Sequence, residues 1–204
     1  MEQYLPIILF VISSSVTPGP NNVMIMSSGV NHGVKKSLPH LFGIAVGFTL
    51  MVFMVGLGFG NFFIEFPIFH DIIKLLGILY LLYLAWSIAS TSSVSLKNNH
   101  SKPFSFIQAA LFQWVNPKAW VMIAGAVALF ISGSSDIFYD VLFIALTFFV
   151  LGAPCVCIWL FFGVGLKKYM TDPKHLKRFN ISMALLLVLS IFPAIQELVV
   201  SYIL

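Results

Sequence analysis

Six stretches of this chain are apolar for long enough to cross a bilayer as helix, and together they take up most of its 204 residues. Spanning the hydrocarbon core takes about 20 mostly apolar helical residues. The stretches run over about 4–28, 39–64, 71–91, 106–132, 138–166 and 180–202. Between them lie the short polar connectors "NHGVKKS", "EFPIFH", "STSSVSLKNNHSKP", "SGSSD" and "KKYMTDPKHLKR", none long enough for a soluble domain. Composition points the same way. Hydrophobic residues make up 59% of the chain and charged residues 9%, whereas a soluble domain is nearer half apolar and a quarter charged. The chain reads as an all-α polytopic membrane protein with six transmembrane helices, forming a single transmembrane domain over 1–204.

The few charges set its orientation. Lys35 and Lys36 lie in the first connector, Lys97 and Lys102 in the third, and Lys167, Lys168, Lys174, Lys177 and Arg178 in the fifth, so nine of the 11 basic residues fall on one side. The other side carries Glu2, Glu65, Asp71, Asp136, Asp140 and Glu197, with Lys74 alone among the cations. Basic loops stay in the cytoplasm, which places both termini outside. Tyr4, Trp86, Tyr139, Tyr169 and Tyr202 fit an interfacial aromatic belt. The opening "MEQYLPIILF" has neither a basic n-region nor a small-residue cleavage site, so the first helix is expected to stay.

Two segments are interrupted in ways a membrane helix ordinarily avoids. The first contains "TPGPNN" at 17–22 and the fourth contains "NPK" at 116–118, close to half the chain apart. Helix one enters from outside and helix four from the cytoplasm. Three helices on either side of the division, opposite in direction, suggest a 3+3 inverted repeat, with halves about 1–92 and 103–204 and a cytoplasmic linker about 93–102. Paired breaks in matching helices point to a transporter's binding site. Pro18 and Pro20 have no N–H, so the carbonyls of Ser14 and Val16 lose their helical donors, and Pro117 frees that of Gln113. Asn116 suits an N-cap and Pro117 the first helical position. Half-helix N-termini at Asn21 and Asn22, and around Lys118, carry free amides and partial positive charge that suit a carboxylate. The freed carbonyls suit an ammonium group. The expected site, for a zwitterion, comprises Thr17, Pro18, Gly19, Pro20, Asn21, Asn22, Gln113, Asn116, Pro117 and Lys118. No catalytic residue is expected.

Plainer readings compete. Proline kinks membrane helices for packing alone. Lys118 would face the cytoplasmic headgroups if residues 104–115 lay along the interface. Gly43 and Gly47 form a GxxxG that suits close helix packing, and Gly56, Gly58, Gly60, Gly163 and Gly165 read the same way. His40 follows Pro39 at the cytoplasmic start of helix two and is either an interfacial residue or a proton relay. Cys155 and Cys157 sit two apart on a helix and do not face each other. A membrane thiol–disulfide electron carrier using them is the alternative function, against which the spacing and the lack of a second cysteine pair both count. A metal-ion exporter would need His and carboxylate ligands that the chain does not group together. No metal, cofactor or nucleic-acid partner is expected.

"TPGPNN", the following "NHG", "GIAVGF" in helix two, "GILYLLYLAW" in helix three and "NPKAW" in helix four resemble, in order and spacing, the lysine exporter / homoserine–threonine exporter family of bacteria. "TPGPNNVMIMSSGVNHG" and "KPFSFIQAALFQWVN" are most similar to its cysteine/O-acetylserine exporter branch. The resemblance implies a bacterial cytoplasmic-membrane exporter of amino acids or close derivatives, six helices, drive from the proton gradient and a homodimer. The family motif falls here on Thr17, Pro18, Gly19, Pro20 and Asn21 and on Asn116, Pro117 and Lys118. The sequence shows no carboxylate well inside the membrane, leaving Lys118, His40 or the substrate itself as candidates for coupling.

Overall fold

The computed structural model describes residues 5–59, 65–91, 102–130 and 137–203. Glu2, Tyr4, Gly60, Lys97, His100 and Asp136 lie outside these residues, as does the expected linker apart from Lys102; so do the side chains of Glu197 and Tyr202. The described residues are helical almost throughout.

Each proline-centred break divides a segment into two helices. The first becomes α1 (Leu5–Val16) and α2 (Pro20–His32). Pro20 opens α2 and Gly19 precedes it in fully extended conformation, φ −172° and ψ 178°. At 12 and 13 residues and about 1.5 Å per residue, neither half crosses a hydrocarbon core of about 30 Å. α2 ends at Gly33, whose φ of 79° lies where glycine is favoured, and the chain turns directly into α3 (Val34–Met54). α3 runs on through a π turn, Val55–Phe59, with Gly58 at φ 108°.

α4 is Pro67–Ser90. The fourth segment starts with a capping box: Ser105 Oγ accepts from Gln108 N and Gln108 Oε1 from Ser105 N. It gives α5 (Phe106–Phe112), a tight 3₁₀ turn at Gln113–Val115, a break at Asn116 (φ −85°, ψ 109°), and α6 (Pro117–Phe130). The fifth comprises α7 (Ile137–Thr147), a π turn at Phe148–Gly152 and α8 (Ala153–Leu166). Pro154 lacks the N–H that would continue the ladder, which accounts for the wider turn before it. α9 is Pro173–Ile203, with Pro193 inside it.

Among the described residues, four continuous helical stretches are long and apolar enough to span a membrane: Val34–Phe59, Asp71–Ser90, Ile137–Tyr169 and Pro173–Gln196. Large apolar side chains are exposed on the outside of the bundle, among them Leu9, Trp86, Val121, Leu129 and Leu189. Water would not tolerate that surface and lipid does.

Small residues set the packing. α3 meets α5 where Gly43 faces the Phe106 backbone and Gly47 that of Ala110. A methyl on either glycine would strike main chain, so these contacts bring backbones as close as a GxxxG can. α2 meets α8 in the same way, Gly163 against the Met26 backbone and Gly29 against the Leu160 carbonyl. Gly165 has nothing within 4 Å and is no packing glycine. The core divides into three apolar clusters. One lies between α2, α4, α5 and α9 around Leu81, Phe112 and Leu187. A second joins α1, α3, α6 and α7 around Val11, Met51 and Ile123, and a third packs α2, α3, α5 and α8 around Ile25 and Leu160.

Candidate functional site

The two breaks meet. α3 and α5 run side by side in one direction, so the contacts at Gly43 and Gly47 carry α5 into the bundle and put Asn116 beyond Ala110. Gly77, ten residues into α4, lies against the Val115 carbonyl. The second break therefore sits between the ends of α4, inside the helix bundle and facing the first.

Lys118 joins them. Its Nζ donates to the Thr17 carbonyl, to Thr17 Oγ1 at 2.9 Å and to the Pro18 carbonyl at 3.4 Å. Its own backbone N–H donates to Asn116 Oδ1 at 3.2 Å, the cap expected of an asparagine before Pro117. The side chain lies across Gly19 so closely that a Cβ there would stand 2.5 Å from Lys118 Cδ. Nearby, Asn21 Nδ2 donates to Gln113 Oε1 at 2.8 Å and Gln113 Nε2 donates back to Asn21 Oδ1 at 3.1 Å, linking the two broken segments by paired amides. Gln113 and Asn116 are both buried.

The carbonyls freed by the prolines are not vacant, which corrects the expectation that they await an ammonium group. Ser14 O accepts from Thr17 Oγ1 at 2.8 Å, Val16 O from Trp159 Nε1 of α8 at 3.1 Å, and Gln113 O from Asn116 N at 3.2 Å. Asn22 Nδ2 ties down Ser15 O and Thr17 O at 2.9 and 2.8 Å. A buried main-chain acceptor without a donor is strongly disfavoured, and Trp159 of α8, the Thr17 hydroxyl and the Asn116 main-chain N–H supply the donors that proline removed. The amides at the start of α2 receive no side-chain cap; the first α2 bond back to the cap is from Val23 N to Gly19 O.

A narrow cleft opens beside this junction. Gly19, Asn21, Asn22, Asn116 and Lys118 line its polar side together with Ser14 and Ser15, and Ile44, Phe48, Phe148 and Val156 form the apolar side. The π turn before Pro154 brings Phe148 and Gly152 into this wall, a signal present in "LGAPC" that sequence reading passed over. A second, larger cleft lies on the other side of Lys118, bounded by Trp114, Trp120, Lys74 and Pro193. Lys118 and Gly19 border both.

Of the expected site residues, Thr17, Pro18, Gly19, Pro20, Asn21, Asn22, Gln113, Asn116, Pro117 and Lys118 all converge at the junction or its two clefts. His40 does not; it lies buried in α3 beside a separate polar cavity toward the connectors that carry most of the basic residues. Cys155 and Cys157 are both unbridged, and Cys155 Sγ bonds within its own helix to Leu151 O at 3.2 Å. Nothing among the described residues supports an electron-carrier reading. No group of three or more His, Cys, Asp or Glu among the described residues is placed to hold a metal.

The profile of the LysE type translocator family matches residues 12–192, a span that includes both breaks. The chain belongs to that family. Proteins named cysteine/O-acetylserine efflux protein are similar to it over 180 residues, 88% of this chain and 90% of theirs: that of Salmonella typhimurium (strain LT2) at 29% identity and that of Escherichia coli (strain K12) at 28%. The LysE-type chain matches no solved structure. Family, relatives and apolar helices together make it a multi-pass transporter of the bacterial inner membrane.

Proposed function

We propose that this protein exports small neutral amino acids or their O-acyl derivatives by alternating access, with the substrate held where the two breaks meet. The observation that carries the reading is Lys118: a cation from the second broken segment reaches into the first, and both segments line one cleft. A carboxylate in that cleft meets the Lys118 ammonium and the uncapped amides of α2, whose helix terminus carries partial positive charge. The hydroxyls of Ser14 and Ser15 are acceptors for an α-ammonium group. Phe48, Phe148 and Val156 leave room for a short, weakly polar side chain, in keeping with relatives named for cysteine and O-acetylserine efflux.

In this reading α1 with α2, and α5 with α6, each make one interrupted span. With the four continuous helices they complete six, as a 3+3 inverted repeat with both termini outside. Lys118 and Gly19 form the partition between the inner cleft and the larger one beside Lys74, which serves as the exit. The proton gradient supplies the drive, with Lys118 the coupling residue because, of the two residues that border both clefts, it is the one that can carry a proton.

The test is efflux from proteoliposomes loaded with single amino acids, with and without an imposed proton gradient. Expected is export of cysteine or O-acetylserine that the gradient accelerates and that Lys118→Met abolishes. Export by Lys118→Met at the wild-type rate and with the same gradient dependence would overturn the site.

A further inference from the structure

The polar cavity around His40 is a second opening that the breaks do not use. It is bounded by the C-terminal half of α2, the start of α3, the end of α4 and the segment before α5. His40 lines it, is only 2% exposed, and neither ring nitrogen has a hydrogen-bond partner among the described residues. The Phe104 ring lies 5.2 Å from the imidazole, centroid to centroid, and supplies no partner for its nitrogens. An unpartnered buried polar group is costly, and an apolar residue of similar size would pack there without that penalty. A ligand that meets both nitrogens accounts for the imidazole.

The surroundings narrow the ligand. A neutral imidazole offers one donor and one acceptor. In the buried pair Ser28 Oγ···Ser37 Oγ, 2.7 Å apart, one hydroxyl proton makes the bond and the other is left to give, and Ser28 faces the cavity. Asn31 is engaged and belongs to the wall: it bonds to Ser27 and to Asn180, which donates in turn to the Thr91 carbonyl. Lys102 brings the cationic end. Met24, Leu84 and Phe104 provide an apolar side. Lys36 and Lys167, whose charges act on His32 at the rim, make the approach positive, which draws carboxylates in.

We infer that this cavity is a cytoplasmic loading site for the amino-acid substrate, holding its carboxylate between Lys102 and the His40 N–H before it moves to the breaks. The inference rests on the exporter reading for its direction. Its geometry is independent of Lys118, so the two can be separated.

The test uses the full chain in lipid nanodiscs, with histidine labelled at the ring nitrogens for NMR and the His40 signals assigned by their loss in His40→Gln. O-acetyl-L-serine, L-cysteine and L-homoserine are titrated in. Expected is a saturable shift of the His40 resonances that persists in Lys118→Met, a variant that no longer exports. In transport, His40→Gln should raise KM about tenfold, the loss of one hydrogen bond to a charged group, and change the maximal rate much less. His40 resonances that stay still under every amino acid the wild type exports would overturn the loading site and leave the imidazole to water. So would a shift that disappears in Lys118→Met, or a His40→Gln variant that loses maximal rate at unchanged KM. A His40 shift in a protein that exports none of the three would sink the exporter reading while keeping the cavity as an amino-acid site.

Discussion

One helix, α2, builds a different polar region at each end. At its start, among Thr17, Asn21, Asn22 and Lys118, the polar groups are largely partnered by other groups of the protein. Toward its end, the His40 imidazole beside Ser28 and Asn31 has no hydrogen-bond partner among the described residues. The difference follows from what each region is made of. The breaks expose main chain, and main chain at membrane depth has to be satisfied in every state of the protein. Trp159, Thr17 Oγ1 and the Asn22 amide do this. The His40 imidazole stands off the ladder, and by the inference above its missing bonds are made by a ligand that comes and goes. In the proposed reading, substrate at the breaks exchanges for bonds already made, chiefly those of Lys118, whereas substrate in the cavity adds bonds that were missing. Changes at the breaks should act strongly and on maximal rate, and changes in the cavity weakly and on KM.

The largest effect should come from Lys118. Removing a charged hydrogen-bond partner costs about 1.5–3 kcal/mol, roughly 10- to 150-fold in transport at limiting substrate, and if Lys118 also couples export to protons, as proposed, Lys118→Met should fall below detection in proteoliposome efflux. Gly19→Ala isolates the geometry. Gly19 is extended, so alanine fits the backbone, and the three atoms nearest the new methyl all belong to the movable Lys118 side chain. The variant should reach the membrane and melt like wild type while export falls about tenfold, about 1.4 kcal/mol in the position of one ammonium group. Undiminished export would mean that the seat of Lys118 across Gly19 is incidental, and the contrast between the two regions would fail at its stronger end.

A middle-sized effect is expected at the paired amides. Gln113→Leu removes both bonds to Asn21 and leaves that amide without its partner, at a cost of about 1–3 kcal/mol. The melting temperature in detergent should fall by several degrees, and export should fall with it at fixed protein. Gln113→Glu keeps an acceptor for Asn21 Nδ2 and should recover part of the stability. Equal loss in both variants would show that Gln113 acts by its volume.

How much of this could be read from the chain depends on whether its cause is local. The breaks were legible because a proline's missing N–H is a property of its own position, and "TPGPNN" and "NPK" hold residues that the fold brings together. The close approach at Gly43 and Gly47 was legible from spacing. The donors to the freed carbonyls were not: Trp159 reaches Val16 from 143 residues away, and only the packing of α8 on α2 brings it there. The same applies to His40. Its sequence context, next to Pro39 and near a connector, reads as interfacial, yet Phe104 from before α5 and the end of α4 close over it. The π turn at Phe148–Gly152 lies between, since Pro154 announced an interruption and the wall it forms depended on the fold.

The smallest effect concerns the rim of the cavity, and it tests whether the positive approach there comes from lysines alone. Burial first, then the charges of Lys36 and Lys167, lower the His32 pKa from 6.5 to about 4. His32 is thus neutral near pH 7 and adds no charge to the rim. The folded protein resists protonating it, whereas the unfolded chain takes up the proton as pH falls below about 6.5. Stability from this residue is therefore complete above pH 6.5 and is lost as pH falls toward about 4. His32→Gln has no proton to resist, so thermal unfolding compared at about pH 7 and about pH 5 should show the wild type losing more stability than the variant. The difference should be modest, because His32 is only half-buried and solvent screens its neighbours. Parallel losses would mean that His32 titrates as an ordinary exposed imidazole. The rim would then gain a switchable cation on acidification, and binding of carboxylates near His40 should strengthen below pH 6.5 instead of staying level.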